Sequence, residues 1–175
     1  MRSFFFYSLI SLFALFTIGC SSNYNNKSHV GHPFPSIKGE NLEKEVVSIP
    51  EVFKGKNTLL LIGYKQDSQF DIDRWLIGLD MTETQVNVYE LPTIQGLFPR
   101  MFSTVINNGM RAGIPKSLWK GVITVYQDGE LVQKFTGNKN PNPARVILLN
   151  KEGIILFMYD EGFSVNALNQ VRVFL

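Results

Sequence analysis

Behind the loop Lys54-Gly55-Lys56-Asn57 stands TLLLIGY, seven positions (58–64) without a charged side chain. A strand with one face in water alternates apolar and polar residues, whereas one that is apolar throughout has to be covered on both faces. Such a strand belongs inside an α/β sheet with helices on either side, and the flanking sequence supplies the partners. Asp67 or Ser68 can cap a helix whose apolar residues Phe70, Ile72, Trp75, Leu76 and Leu79 fall mostly on one side. QVNVYEL at 85–91 reads as a second strand. A helical stretch follows over about 98–112, with Phe98, Met101, Phe102, Val105 and Ile106 spaced by three and four, Pro99 in its first turn, and Gly109 and Gly113 at its end. GVITVYQDGELVQKF at 121–135 reads as a β-hairpin turning at Asp128-Gly129. RVILLNKEGIILFMY at 145–159 reads as another, turning between Asn150 and Gly153. After Gly162, Ser164 can cap a last helix carrying Val165, Leu168, Val171 and Phe174. Upstream, EVVSI at 45–49 is a short strand, and the domain is expected to span 37–175.

With the 121–135 hairpin set aside, the order from residue 58 is strand, helix, strand, helix, strand, strand, helix. That order resembles the thioredoxin fold, in which a βαβ unit is followed by an antiparallel hairpin and a covering helix. The expected architecture is therefore α/β: a thioredoxin-like mixed sheet flanked by helices, with an extra β-hairpin. The resemblance implies a cis-proline facing the active-site loop, at Pro143 or at its competitor Pro141. It also implies that the loop after the first strand, here Tyr64 to Phe70, is where catalytic members carry a reactive cysteine at a helix N-terminus.

This chain departs there. Its one cysteine is Cys20, so neither a CxxC nor a T-x-x-C motif exists, and thiol exchange and cysteine-based peroxide reduction are excluded by composition. Ser68 occupies the neighbourhood, but no histidine lies within the domain to activate it, and its expected role is helix capping. No catalytic residue and no cofactor are expected. Lys65, Gln66, Asp67, Ser68 and Asp71, together with Pro143 and Arg145, are the candidate partner-binding residues. Lys65, Gln66, Asp67 and Asp71 are expected to form an exposed polar rim. Arg145, at the mouth of a buried strand, suits either bidentate capture of a carboxylate or phosphate or a structural salt bridge. The alternative is an enzyme or small-ligand carrier using the cysteine-free loop 64–70 beside Pro143. Trp75 and Trp119 are expected to pack in or near the core.

The N-terminus carries an address. Arg2 is the only charge before Lys27, and residues 4–19 are FFFYSLISLFALFTIG, the layout of a signal peptide. Thr17-Ile18-Gly19-Cys20 resembles the bacterial lipobox, in which a small residue precedes a cysteine that is acylated and becomes the new N-terminus. The expected organisation is a signal peptide over 1–19 and a lipidated flexible tether over 20–36, rich in Ser, Asn, Gly and Pro. The protein would then face the periplasm from a lipid anchor, at the outer rather than the inner membrane because Ser21, not Asp, follows the cysteine. His29 and His32 stand as H-x-x-H, but Gly31 and Pro33 discourage helix, and no metal site is expected. With 17 basic against 15 acidic residues, and with Arg100, Arg111, Lys116 and Lys120 spread over two elements, nucleic acid is not an expected partner.

Several segments also resemble the mitochondrial ATP synthase assembly factors that act on Fo subunit 6. They are Asn57-Thr58-Leu59-Leu60, GMRAGIPKSLWKGVITVYQD at 109–128, KFTGNKNPNPARVILLNKEG at 134–153 and the glycine–helix junction at Gly162. Leu156-Phe157 stands where that family often carries an Arg-Trp pair. The resemblance implies a binding or assembly role without catalysis, exercised in a bacterial envelope on a different client, an envelope protein.

Overall fold

The computed structural model describes residues 22–175, so the expected signal segment and Cys20 lie outside the described residues. Two antiparallel strands, β1 (Ile37–Asn41) and β2 (Val46–Ile49), lead to β3 (Thr58–Gly63), which is buried at every position. Helix α1 (Ser68–Met81) returns the chain to β4 (Asn87–Pro92), which pairs parallel to β3 in register from Thr58–Asn87 to Gly63–Pro92. After an excursion through α2 (Leu97–Met101), α3 (Ser103–Gly113), a 3₁₀ turn over Lys116–Gly121 and the two-residue strand β5 (Ile123–Thr124), helix α4 spans Gly129–Thr136. Strands β6 (Arg145–Leu149) and β7 (Ile155–Tyr159) and helix α5 (Val165–Val173) complete the chain. The main sheet has the order β4-β3-β6-β7, mixed in direction, and a second sheet has the order β2-β1-β5.

The all-apolar β3 divides its residues between two cores, as the two-residue period of a strand dictates. Leu59 and Leu61, with Val146 and Leu148 opposite, meet Ile72, Trp75 and Leu79 of α1 and Ala167, Leu168 and Val171 of α5. Leu60 and Ile62, with Ile147 and Leu149, meet Phe34, Ile37, Ile49, Phe53 and Val132. Trp75 is fully buried, with Phe163 and Tyr159 edge-on at 5.5 and 6.1 Å between ring centres. Ser164 caps α5 as expected, its hydroxyl accepting from the Ala167 amide at 3.1 Å.

Three expectations are corrected. The 121–135 stretch is not a hairpin: β5 pairs with β1, and Gly129 opens α4 instead of turning a loop. Asp128 accepts the Lys38 amide at 2.7 Å, and a Cβ on Gly129 would stand 2.6 Å from the Ile94 carbonyl oxygen. Residues Gly129, Val132, Gln133 and Thr136 are buried, a helical and not an alternating pattern. The extra strands therefore form the three-stranded sheet β2-β1-β5. The 98–112 helix is two helices, joined where the Phe102 amide bonds the Pro99 carbonyl at 3.2 Å. Helix α3 buries only Asn107, so α4 is the covering helix that precedes β6. Arg100, donating to the carbonyls of Tyr126 and Gln127, ties the excursion down, as does the half-buried Trp119, whose carbonyl accepts from the Leu42 amide at 3.2 Å. Finally, the described part of the expected tether, 22–36, lies along the domain. Ile155 and Phe34 exchange backbone bonds with His32 and Gly153 at 3.0 Å each, so the segment covers the edge of β7, and Phe34 is 3% exposed.

Truncating Trp75 removes the largest side chain of the α1–α5 core. Trp75→Ala should lower stability by about 3–5 kcal/mol, the range for an aromatic deleted from a packed interior. Urea unfolding followed by tyrosine and Trp119 fluorescence reads the shift.

Candidate functional site

Strands β3 and β4 are parallel and end level with each other at Gly63 and Pro92, so the loops that leave them open on the same end of the sheet. That is where a parallel α/β sheet offers its binding crevice. Between these loops and the segment leading into β6 lies a cleft of about 580 Å³. Tyr64 and Lys65 form one wall, Gln95 another, Asn138 and Lys139 a third, and Ser22 its rim. The lining includes two lysines and no carboxylate.

The candidate residues separate into two sets. Lys65, Gln66 and Asp67 are exposed, as expected, and Asp67, though it stands at the N-cap of α1, makes no side-chain capping bond. Ser68, Asp71 and Arg145 are instead buried and bind loop to loop, and the half-buried Pro143 accepts from Arg145 through its carbonyl. Ser68 is fully buried; its hydroxyl accepts from the Lys65 amide and donates to the Pro141 carbonyl, each at 3.3 Å. It therefore bridges the two loops rather than capping the helix. Asp71 is 8% exposed, a correction to its expected place on the rim. Its two oxygens accept from the amides of Ala144 at 2.9 Å and Phe163 at 2.6 Å, which takes the side chain inward. Among the described residues the cis peptide bond is Ile49–Pro50, so the bonds before Pro141 and Pro143 are trans.

Arg145 is fully buried yet, against both sequence expectations, faces no carboxylate in an ion pair and no open solvent. Its Nε donates to the Gly137 carbonyl at 3.2 Å, one terminal nitrogen to the Pro143 carbonyl at 2.8 Å, and the other to Asn26 Oδ1 at 3.4 Å. The guanidinium carbon stands 4.8 Å from the centre of the Tyr64 ring, within cation–π reach. Burial lowers the Arg145 pKa, opposed by Tyr64 and Asp160. The Tyr64 hydroxyl is hydrogen-bonded to Thr136 Oγ1, and burial pushes the phenol up to about 12.

Sequence reasoning missed the part played by Gly137, Asn138 and the N-terminal strap, residues 22–32. Asn138 Oδ1 accepts from the Tyr24 amide at 2.7 Å, its own amide donates to the Tyr24 carbonyl at 2.9 Å, and its Nδ2 donates to Ser22 and Gln133. Gly137 has φ +85° and ψ 155°, and a Cβ there would stand 2.3 Å from the Asn26 Cα. His29 stacks on Phe135 at 3.9 Å and bonds its carbonyl at 2.8 Å through Nε2. The legible signal was Gly137-Asn138 ahead of a proline-rich loop, since the backbone arrangement found there is one that only glycine adopts readily.

No family model matches the chain, and no curated protein matches it in sequence. Solved structures do share its fold. The pneumococcal exposed lipoprotein thioredoxin of Streptococcus pneumoniae aligns at TM-score 0.54 and 11% identity over 81% of this chain and 100% of that one. The thioredoxin domain of a thiol-disulfide oxidoreductase from Bacteroides vulgatus aligns at 0.54 and 19% over 85% and 99%. BsSco, a member of the Sco family of cytochrome c oxidase assembly proteins, aligns at 0.56 and 12% over 84% and 93%. The fold is thioredoxin-like, as the order of elements led one to expect.

Two outcomes test this geometry. Gly137→Ala forces a side chain into a conformation reserved for glycine and into the strap's backbone, and should lower stability by about 2–3 kcal/mol. Hydrogen exchange at residues 22–29 should rise in that variant. For Tyr64, the neutral phenol is the form the fold holds, so its contribution is complete below pH 10.0 and is lost as pH rises toward about 12. Melting temperature should fall over that interval in the wild type, and less steeply in Tyr64→Phe.

Proposed function

We propose that this is a non-catalytic, lipid-anchored envelope protein of thioredoxin-like fold that binds or helps assemble a protein partner through the cleft at the end of β3 and β4. The observation that carries the reading is Ser68. It begins the helix where a redox-active relative would present its cysteine, yet its hydroxyl is buried and committed to the Pro141 carbonyl. The loop contact is thus kept and the nucleophile is not. Asp71, the nearest acid, is likewise bound to two backbone amides and has no free face to offer a reacting group. What remains open is Lys65, Gln66 and Lys139 around a polar cleft, a surface that recognises without reacting.

Two further facts support the role. The resemblance of several segments to the Fo assembly factors, which rests on the sequence alone, fits a binding function without catalysis. Assembly is also the business of the Sco family to which one fold neighbour belongs. An N-terminal anchor is in keeping with the lipobox-like Thr17-Ile18-Gly19-Cys20, and an exposed lipoprotein occurs among the fold neighbours. The client would be an envelope protein.

Photoreactive residues at Gln66 and Lys139 in living cells should capture the same envelope protein, identified by mass spectrometry. Capture of nothing specific at either position would overturn the cleft as a docking surface. Lys65→Ala should weaken that capture and leave stability within about 0.5 kcal/mol, as for other surface substitutions. Asp71→Ala strands two buried amides and should lower stability by about 2–4 kcal/mol.

A further inference from the structure

Helices α2 and α3 leave an apolar stripe uncovered. Leu97, Met101 and Val105 recur at every fourth position and are 77%, 78% and 67% exposed. Leu97 and Met101 stand one turn apart on α2, and Val105 follows near the start of α3. The stripe begins at the cleft, since Gly96 and Pro99 line it, and so does Ser22. Ser22 is two residues from Cys20, and two trans peptide units reach no farther than about 7 Å. Whatever holds the Cys20 sulfur is therefore tied close to the rim from which the stripe starts. The same cleft carries Lys65 and Lys139 and no carboxylate, which suits a surface of negative charge.

We propose that the bilayer is what covers this stripe. The domain lies on its own membrane through Leu97, Met101 and Val105, and the cleft opens at the level of the lipid headgroups. The proposal rests on acylation of Cys20 as given under the proposed function. An acylated Cys20 sits at the boundary between headgroups and chains, and an apolar helical side within reach of it enters the same layer, as interfacial helices do. Lys65 and Lys139 then meet anionic headgroups from the polar side. Among the described residues no helix is long and apolar enough to cross a membrane, so the contact is peripheral. It also narrows the client of the cleft to a protein segment that runs at the membrane surface.

The test uses the chain purified with its anchor and placed in vesicles of phosphatidylethanolamine and phosphatidylglycerol. A nitroxide is attached at Met101→Cys and, as a reference, at Glu152→Cys. The pairing of Thr58 with Leu149 puts the β6–β7 turn, and Glu152 with it, at the opposite end of the sheet from Gly63. Accessibility to oxygen, which concentrates in lipid, is compared with accessibility to a water-soluble nickel complex. The oxygen-to-nickel ratio should be several-fold higher at Met101 than at Glu152, while the wild-type chain, its one thiol blocked, takes up no label. A wild-type chain without label and a Met101 ratio equal to that of Glu152 overturns this proposal alone and gives the stripe to a protein partner. A wild-type chain that accepts label has a free Cys20 thiol and overturns the anchor and the proposal together.

Discussion

The burial of β3 on both faces is the constraint from which the architecture follows. A single layer of helices would leave one row of its leucines in water, so the chain has to supply cover twice. Helices α1 and α5 cover Leu59 and Leu61; Phe34, Ile37, Ile49, Phe53 and Val132 cover Leu60 and Ile62. At roughly 25 cal/mol per Å² of apolar surface removed from water, these two layers supply the main favourable contribution to folding. The first layer is one compact pair of helices. The second is assembled from distant pieces of chain, and the N-terminal strap belongs to it.

At the cleft end the organising group is Arg145. A buried guanidinium without a carboxylate partner is tolerated only when dipoles replace its water, and here two carbonyls, an asparagine oxygen and the face of Tyr64 do so. Because those partners come from the 137–143 loop, the strap and the end of β3, the cation fixes three segments with respect to one another. Ser68 and Asp71 add the bonds that hold α1 to the same loop. These bonds join the segments that line the cleft from beneath.

Much of this was legible in the residues. The β3 run, the apolar side of the helix from Ser68, the Ser164 cap of the last helix and the hairpin from Arg145 to Tyr159 are local signals, and each leads directly to its element. Asp128-Gly129 misleads because the dipeptide suits a tight turn and a helix start equally well, and the choice falls to a distant partner, the Lys38 amide. Asp71 and Arg145 look like surface groups for the same reason. Their partners are backbone amides and carbonyls, which every residue owns and no sequence pattern marks. The strap escapes notice because its polar residues bond to Asn138 and Arg145 more than a hundred positions away.

That separation gives the domain a direction in time. Contacts between residues 22–29 and 135–145 span 106 to 119 positions, and pairings of such range form slowly because a long loop has to close first. In a chain made from its N-terminus, the strap is the first part of the domain to emerge, and it docks only after residues 135–145 have followed. Until β6 and the Gly137 loop exist, residues 22–29 lack their partners at Phe135, Asn138 and Arg145. The cleft therefore gains its Ser22 rim only once residues more than a hundred positions downstream have been made.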